Sequence, residues 1–131
     1  MVNLSVVKQW LEKADSDLSF AQSTNKERGR EDYVAFASQQ AAEKFLKAFI
    51  IAKNLKFKYT HDLVDLLRVC AQKDKEFARL SSFAEELTPL YIESRYPEFV
   101  GVITQERTRI ALAATKKIAE FVKRKLRQFY S

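Results

Sequence analysis

Apolar residues recur every three or four positions along most of the chain, which is the spacing of amphipathic α-helices. The first helix is predicted to begin after Asn3, a good N-cap residue, and to end near Ser23. Its predicted buried stripe consists of Val6, Trp10, Ala14, Asp17, Leu18 and Ala21. The polar stretch 23–31 contains Gly29 and no apolar residue, so it predicts a loop.

A second helix is predicted from about Glu31 to Lys53, and its apolar surface is broad enough for burial on several sides. Its stripe consists of Val34, Ala37, Ala41, Phe45, Ala48 and Ala52, flanked by Ala42, Leu46 and Phe49. The small residues would let neighbouring helices approach closely. This segment is therefore predicted to be the central helix, and a dimer seam is one way to cover it.

The second half of the chain predicts shorter helices. A basic connector, 53–59, precedes a third helix, for which Thr60 is a candidate cap and whose apolar residues are Leu63, Leu66, Leu67 and Cys70. Another helical segment is predicted from about Asp74 to Pro89, where the proline either kinks it or opens a new turn capped by Thr88.

The stretch 91–100 is irregular and predicts a loop that holds Arg95 and Tyr96, after which Thr104 begins the last helix. The buried stripe of that helix is predicted as Ile110, Ala113 or Ala114, Ile118, Phe121, Val122, Leu126 and Phe129. These lengths and short connections predict an all-α fold, a four- to five-helix up-and-down bundle, in one domain spanning 1–131.

Composition agrees with this interpretation, because a chain of 131 residues with only two glycines and two prolines is poor in strand and hairpin punctuation. The one cysteine cannot form an internal disulfide, and no secretory leader pattern opens the chain. No apolar run approaches the roughly 20 residues of a membrane span. We therefore expect a cytoplasmic protein without a membrane segment.

The net charge of +6 favours nucleic-acid or nucleotide partners. Much of the excess lies near the C-terminus, in Lys116, Lys117, Lys123, Arg124, Lys125 and Arg127. This basic cluster is either a phosphate-binding or acidic-partner surface, or simply a solubilising face of the last helix.

Three short motifs occur in a distinctive order: QQAAEKFLKA at 39–48, YTHDL at 59–63 and SRYP at 94–97. Together they resemble the HEPN family of small helical proteins, over nearly the whole chain. The resemblance implies a HEPN-like bundle that forms a homodimer. It also implies a stand-alone protein that works with a minimal nucleotidyltransferase, in a toxin–antitoxin or nucleotide-modifying pair.

Ribonucleases of this family are recognised by an Arg followed after four to six residues by His, with the Arg on phosphate and the His in proton transfer. This chain lacks the motif, because its one histidine, His61, is preceded at those places by Lys56, Leu55 and Asn54. Acid–base cleavage of RNA is best served by a histidine near the attacking hydroxyl. His61 is therefore either a candidate catalytic group or a structural residue at a helix start.

Arg95 and Tyr96 are candidates for nucleotide or partner binding, because a guanidinium suits phosphate and a neighbouring ring can stack on a base. The alternative is that Arg95 pairs with Glu93 or another acid and clamps its loop, while Tyr96 packs on the bundle. Lys44 is a further candidate contact, although a lysine on a helix is more often solvated.

Glu43 and Lys47 have the i, i+4 spacing and are predicted to pair on the surface of the second helix. No metal site is predicted, since there is no second histidine or cysteine, and no cofactor motif is present.

Three hypotheses follow. The first is a nucleotide- or RNA-binding partner subunit of a minimal nucleotidyltransferase, with Lys44, His61, Arg95 and Tyr96 as contacts. The second is a metal-independent HEPN endoribonuclease with a non-standard site that uses Arg95 and His61. The third is a purely structural, oligomerising helical module.

Overall fold

The computed structural model describes residues 3–57 and 59–130, and every regular element in these ranges is helical. The α-helices are α1 (Leu4–Thr24), α2 (Glu31–Ala52), α3 (Leu63–Lys73), α4 (Ser81–Leu87), α5 (Leu90–Glu93) and α6 (Gln105–Lys125). Short 3₁₀ segments lie at Lys75–Leu80, Pro97–Phe99 and Arg127–Phe129. The predicted fold class, an all-α bundle, is confirmed. Lys58 of the predicted basic connector lies outside the described residues.

Side-chain caps fix where the long helices begin. The Asn3 Oδ1 accepts a hydrogen bond from the Ser5 amide at 2.9 Å, and the Thr104 Oγ1 accepts one from the Arg107 amide at 3.1 Å. These two predicted helix starts are confirmed. The prediction of Thr60 as the cap of α3 is wrong: Asp62 is the N-cap, and the Thr60 hydroxyl accepts from the Asp62 amide instead.

Helix α2 is the centre of the bundle, since α1, α3, α5 and α6 all pack on it. Its buried positions fall on most sides of the helix and include polar as well as apolar residues. Against α1 it runs antiparallel, because Trp10 lies near Lys47 while Asp17, further along α1, meets Lys44. The prediction of a central helix is confirmed, and neighbours within the chain cover it.

The buried stripes of α1 and α6 differ in detail from the prediction. In α1 the core positions are Val7 and Leu11, whereas Val6 and Trp10 are half-buried, so the first two turns are rotated by one residue. In α6, Ile110 is 38% exposed. Thr108 and Ala111 are buried in its place, and the later members of the predicted stripe are buried as expected: Ala114, Ile118, Phe121, Val122 and Leu126.

The segment after α4 is more regular than the sequence suggested. Pro89 opens the short helix α5, and the Thr88 hydroxyl donates to the Ala84 carbonyl at 2.7 Å, so Thr88 ends α4 rather than capping α5. Part of the predicted loop 91–100 is therefore helical. Helix α5 rests on α2, which places Tyr91 next to the start of α3.

Over the described ranges, none of the helices combines the length and the hydropathy that a membrane span requires.

Candidate functional site

A buried polar cluster lies on one face of α2. Gln39, Glu43 and Lys47 follow each other at intervals of four residues, so their side chains line up along the helix. The Lys47 Nζ donates to the Glu43 Oε2 at 2.9 Å, and these side chains are only 6% and 4% exposed. The prediction that Glu43 and Lys47 pair on the surface is wrong. Their spacing specifies that they can pair, but it does not specify which side of α2 other parts of the chain cover.

His61 completes this cluster from the segment before α3. Its Nδ1 lies 2.9 Å from the Glu43 Oε1, and its backbone carbonyl accepts from the Gln39 Nε2 at 3.1 Å. Since Glu43 is a carboxylate that already accepts from Lys47, it accepts from His61 too, which places the imidazole hydrogen on Nδ1. In a neutral imidazole this arrangement leaves the lone pair on Nε2, and the His61 side chain is 27% exposed.

The His61 ring stacks on Tyr91 of α5, with ring centroids 4.0 Å apart and planes at 13°. The Arg95 guanidinium lies 4.7 Å from the centre of the same Tyr91 ring and 5.7 Å from that of Tyr96. The fold thus brings the predicted site residues His61, Arg95 and Tyr96 together near Tyr91. The sequence analysis did not identify Tyr91 as a site residue. We call the group His61, Tyr91, Arg95 and Tyr96 the Tyr91 surface.

Arg95 keeps its charge available on this surface. It has no carboxylate within 4 Å among residues 3–57 and 59–130, and Glu93 pairs with Arg107 instead, at 2.7 Å. The alternative in which Arg95 clamps its loop through Glu93 is therefore not observed. An exposed guanidinium held over aromatic rings is a suitable group for a phosphate or a carboxylate ligand.

Lys47 is enclosed between two aromatic rings. Its Nζ lies 5.3 Å from the centre of the Tyr59 ring and 5.7 Å from that of Trp10, so both contribute cation–π attraction. Tyr59 also meets the His61 ring edge-on at 5.1 Å, although it is itself 81% exposed. Tyr59 thus covers one side of Lys47 and borders the Tyr91 surface through its contact with His61.

Lys44 lies away from Tyr91, between α1 and α2. Its Nζ donates to the Asp17 Oδ2 at 2.6 Å and to the Gln40 Oε1 at 3.2 Å. With 16% of its side chain exposed and its charge matched by Asp17, Lys44 has the contacts of a residue that joins two helices. Gln40 in turn donates to Gln39 at 2.8 Å, which connects Lys44 to the buried cluster.

The basic cluster near the C-terminus is interrupted by acids. Lys123 pairs with Asp15 at 2.7 Å, and Lys125 pairs with Asp74 at 2.8 Å and with Glu76. Lys125 holds the pKa of Asp74 below its usual value. Two of the six cations are therefore matched within the chain, which reduces what the cluster offers to phosphates.

Sequence reasoning missed Gln39, Glu43 and Lys47 as a site, and it missed Tyr91. The first three did leave a signal, because polar residues at 39, 43 and 47 recur at one-turn intervals in a largely apolar helix. A polar line of that kind on a central helix predicts a buried network. Tyr91 left no such signal, since its role depends on how α5 packs against the start of α3.

Comparison with known proteins gives a consistent result. The family model for the HEPN domain matches residues 7–125. The crystal structure of TT1696 from Thermus thermophilus is 30% identical and superposes with a TM-score of 0.82, covering 91% of this chain and 97% of that one. The structure of ST0689, an archaeal HEPN homologue, is 25% identical with a TM-score of 0.74, covering 91% and 96%. No curated protein is significantly similar to this chain.

Proposed function

Because this chain belongs to the HEPN domain family, we propose that it is the partner subunit of a minimal nucleotidyltransferase and binds a nucleotide or RNA on the Tyr91 surface. In this proposal the chain forms a homodimer, and the pair of proteins is a toxin–antitoxin-like system. One observation supports it most: the Arg95 guanidinium and the His61 imidazole both pack on Tyr91, 4.7 Å and 4.0 Å from its ring centre.

The chemistry of that surface suits a nucleotide. Arg95 offers paired N–H donors to phosphate oxygens, and the neighbouring rings offer stacking for a base. Beneath them, the hydrogen bond that His61 donates to Glu43 holds the imidazole in one orientation, so little ordering of this side chain is needed when a ligand binds. Lys44 contributes to this function by joining α1 to α2, and we do not place it against the ligand.

Nucleotide binding is tested by titrating the protein with 5′-nucleotides in a calorimeter at fixed salt. We expect Arg95→Ala to weaken binding by about tenfold or more, because charge-assisted hydrogen bonds to phosphate are lost. The matched control is Arg68→Ala, which removes an exposed arginine on α3 that pairs with Asp65. Equal losses in the two variants would show that overall charge, and not the Tyr91 surface, determines binding.

The partner is tested by affinity purification of the tagged protein from its native cells at low and moderate salt. Recovery of a small nucleotidyltransferase at moderate salt is the expected result. Recovery of RNA alone, lost as salt rises, would indicate a basic RNA-binding surface without the partner. If neither partner nor nucleotide is found, the purely structural module is the hypothesis that remains.

A metal-independent endoribonuclease is the second candidate, and the contact between His61 and Glu43 favours it. A carboxylate that holds one imidazole nitrogen leaves the other with the lone pair that a general base needs. The assay is RNA cleavage in EDTA, with 2′,3′-cyclic phosphate ends expected in the wild type and lost in His61→Ala and Arg95→Ala. An absence of cleavage across tRNA and messenger substrates would exclude this activity for the substrates tested.

A further inference from the structure

A cavity of about 370 Å³ opens beside the Tyr91 surface. It is lined by Asp32, Tyr33, Phe36, Ser94 and Arg95. Arg95 belongs to both the Tyr91 surface and the cavity lining. A nucleotide whose phosphate binds Arg95 can therefore reach into this cavity with its base. The volume lies in the range of pockets that hold small molecules.

Asp32 is the notable group in this cavity. It is half-buried, and within the described residues its carboxylate accepts no side-chain or loop hydrogen bond and lies within 4 Å of no cation, although Arg95 lines the same space. Burial and the neighbouring Glu31 both raise its pKa. The cavity therefore contains a carboxylate whose oxygens are free to accept hydrogen bonds from a ligand.

Two aromatic rings complete the lining. Tyr33 is 58% exposed, and the half-buried Phe36 lies 6.0 Å from Tyr91, ring centre to ring centre, which joins the cavity to the Tyr91 surface. Exposed rings beside a groove are the usual platforms on which nucleobases stack. A flat ring that carries hydrogen-bond donors on one edge fits a cavity with aromatic walls and one carboxylate.

We propose that this cavity is a guanine-binding pocket, in which Asp32 accepts from the base while Arg95 binds the phosphate of the same nucleotide. The inference rests on the proposed function of the Tyr91 surface and adds the identity of the base. Guanine presents two adjacent donors, N1–H and N2–H, which match the two oxygens of a carboxylate. Adenine and cytosine each place an acceptor nitrogen beside their one donor group, and uracil places its donor between two carbonyls, so each repels the carboxylate.

The experiment is a calorimetric titration of the wild type and three variants with GMP, IMP and AMP at one salt concentration. IMP keeps N1–H but lacks the 2-amino group, so the expected order of affinity is GMP, then IMP, then AMP. A bidentate carboxylate contact predicts a preference of about tenfold or more for GMP over AMP. Asp32→Asn should abolish that preference, because an amide offers one acceptor and one donor in place of two acceptors.

Glu86→Gln is the control, since it removes the same charge from an exposed position on α4 that does not line this cavity. It should leave the preference unchanged. Equal binding of GMP and AMP by the wild type, or a preference that survives Asp32→Asn, would overturn the guanine inference. In that case, loss of all binding in Arg95→Ala would still support the Tyr91 surface. If the wild type binds none of the nucleotides, nucleotide binding at that surface fails as well.

Discussion

Removing the charge of Glu43 should destabilise the protein far more than removing the charge of its partner. The ion pair joins Lys47 Nζ and Glu43 Oε2 at 2.9 Å, with side chains 6% and 4% exposed. At an effective dielectric constant of about 20, two unit charges at this distance attract by about 6 kcal/mol. Desolvating each ion costs several kcal/mol, so the intact pair is close to neutral overall.

Glu43 and Lys47 differ in the polar contacts that each keeps after the charge of the other is removed. Without Lys47, the Glu43 carboxylate keeps donors from His61 and Gln39 at 2.9 and 3.3 Å. Without the Glu43 charge, the buried ammonium keeps one amide oxygen and two aromatic rings. We therefore expect Glu43→Gln to lower the free energy of unfolding by about 3 kcal/mol, and Lys47→Met by about 1 kcal/mol.

The assay is urea unfolding at neutral pH, followed by far-UV circular dichroism and by the fluorescence of Trp10, the one tryptophan of the chain. The double variant should be more stable than Glu43→Gln alone, because no unpaired charge remains buried. Asp65→Asn serves as the control for an exposed pair and should cost about 0.5 kcal/mol or less. A loss for Lys47→Met equal to that for Glu43→Gln would refute the reasoning.

Three further results are expected. Lys125→Met should lower stability near neutral pH, and the difference from wild type should vanish as the pH falls from 4.5 through the lowered pKa values of Glu76 and Asp74, as measured by unfolding at several pH values. Cys70 should react with a thiol reagent only after unfolding, because burial raises the pKa of its thiol and covers the sulfur; rapid labelling of the native protein would contradict this. Phe77→Ala should cost about 3 to 5 kcal/mol in thermal or urea unfolding, since Phe77 is fully buried against Phe49 and Phe121 at 4.3 and 4.8 Å; a loss below about 1 kcal/mol would show that the core closes around the gap.

The helices could be predicted because local sequence determines them. Asn3 and Thr104 cap their helices through contacts two or three residues away, and a 3.6-residue period is visible in the sequence itself. The predictions were wrong where packing against other helices determines which residues are buried. Val7 is buried and Val6 is half-buried because of how α1 is rotated on α2, and no local pattern specifies that rotation to one residue.

The site was predictable only in part, for the same reason. His61 and Arg95 could be selected by residue type, whereas their meeting depends on Tyr91 of the short helix α5, in a stretch that the sequence predicted as a loop. Glu43 and Lys47 were recognised as a pair but assigned to the surface. Whether a charged pair is buried depends on which helix faces are covered, and this follows from the packing of α1 and the segment before α3.

The central position of α2 also determines which part of the protein opens last. Backbone amides in a helix that other helices cover on most sides exchange their hydrogens with water mainly through large-scale unfolding, whereas those at frayed ends and loops exchange through small local openings. The slowest-exchanging amides should therefore fall in the middle of α2, around the turns that carry Glu43 and Lys47. Glu43, which holds His61 of the Tyr91 surface, therefore lies in the helix whose amides should exchange most slowly. Tyr91 and Arg95 belong to a segment whose amides should exchange faster.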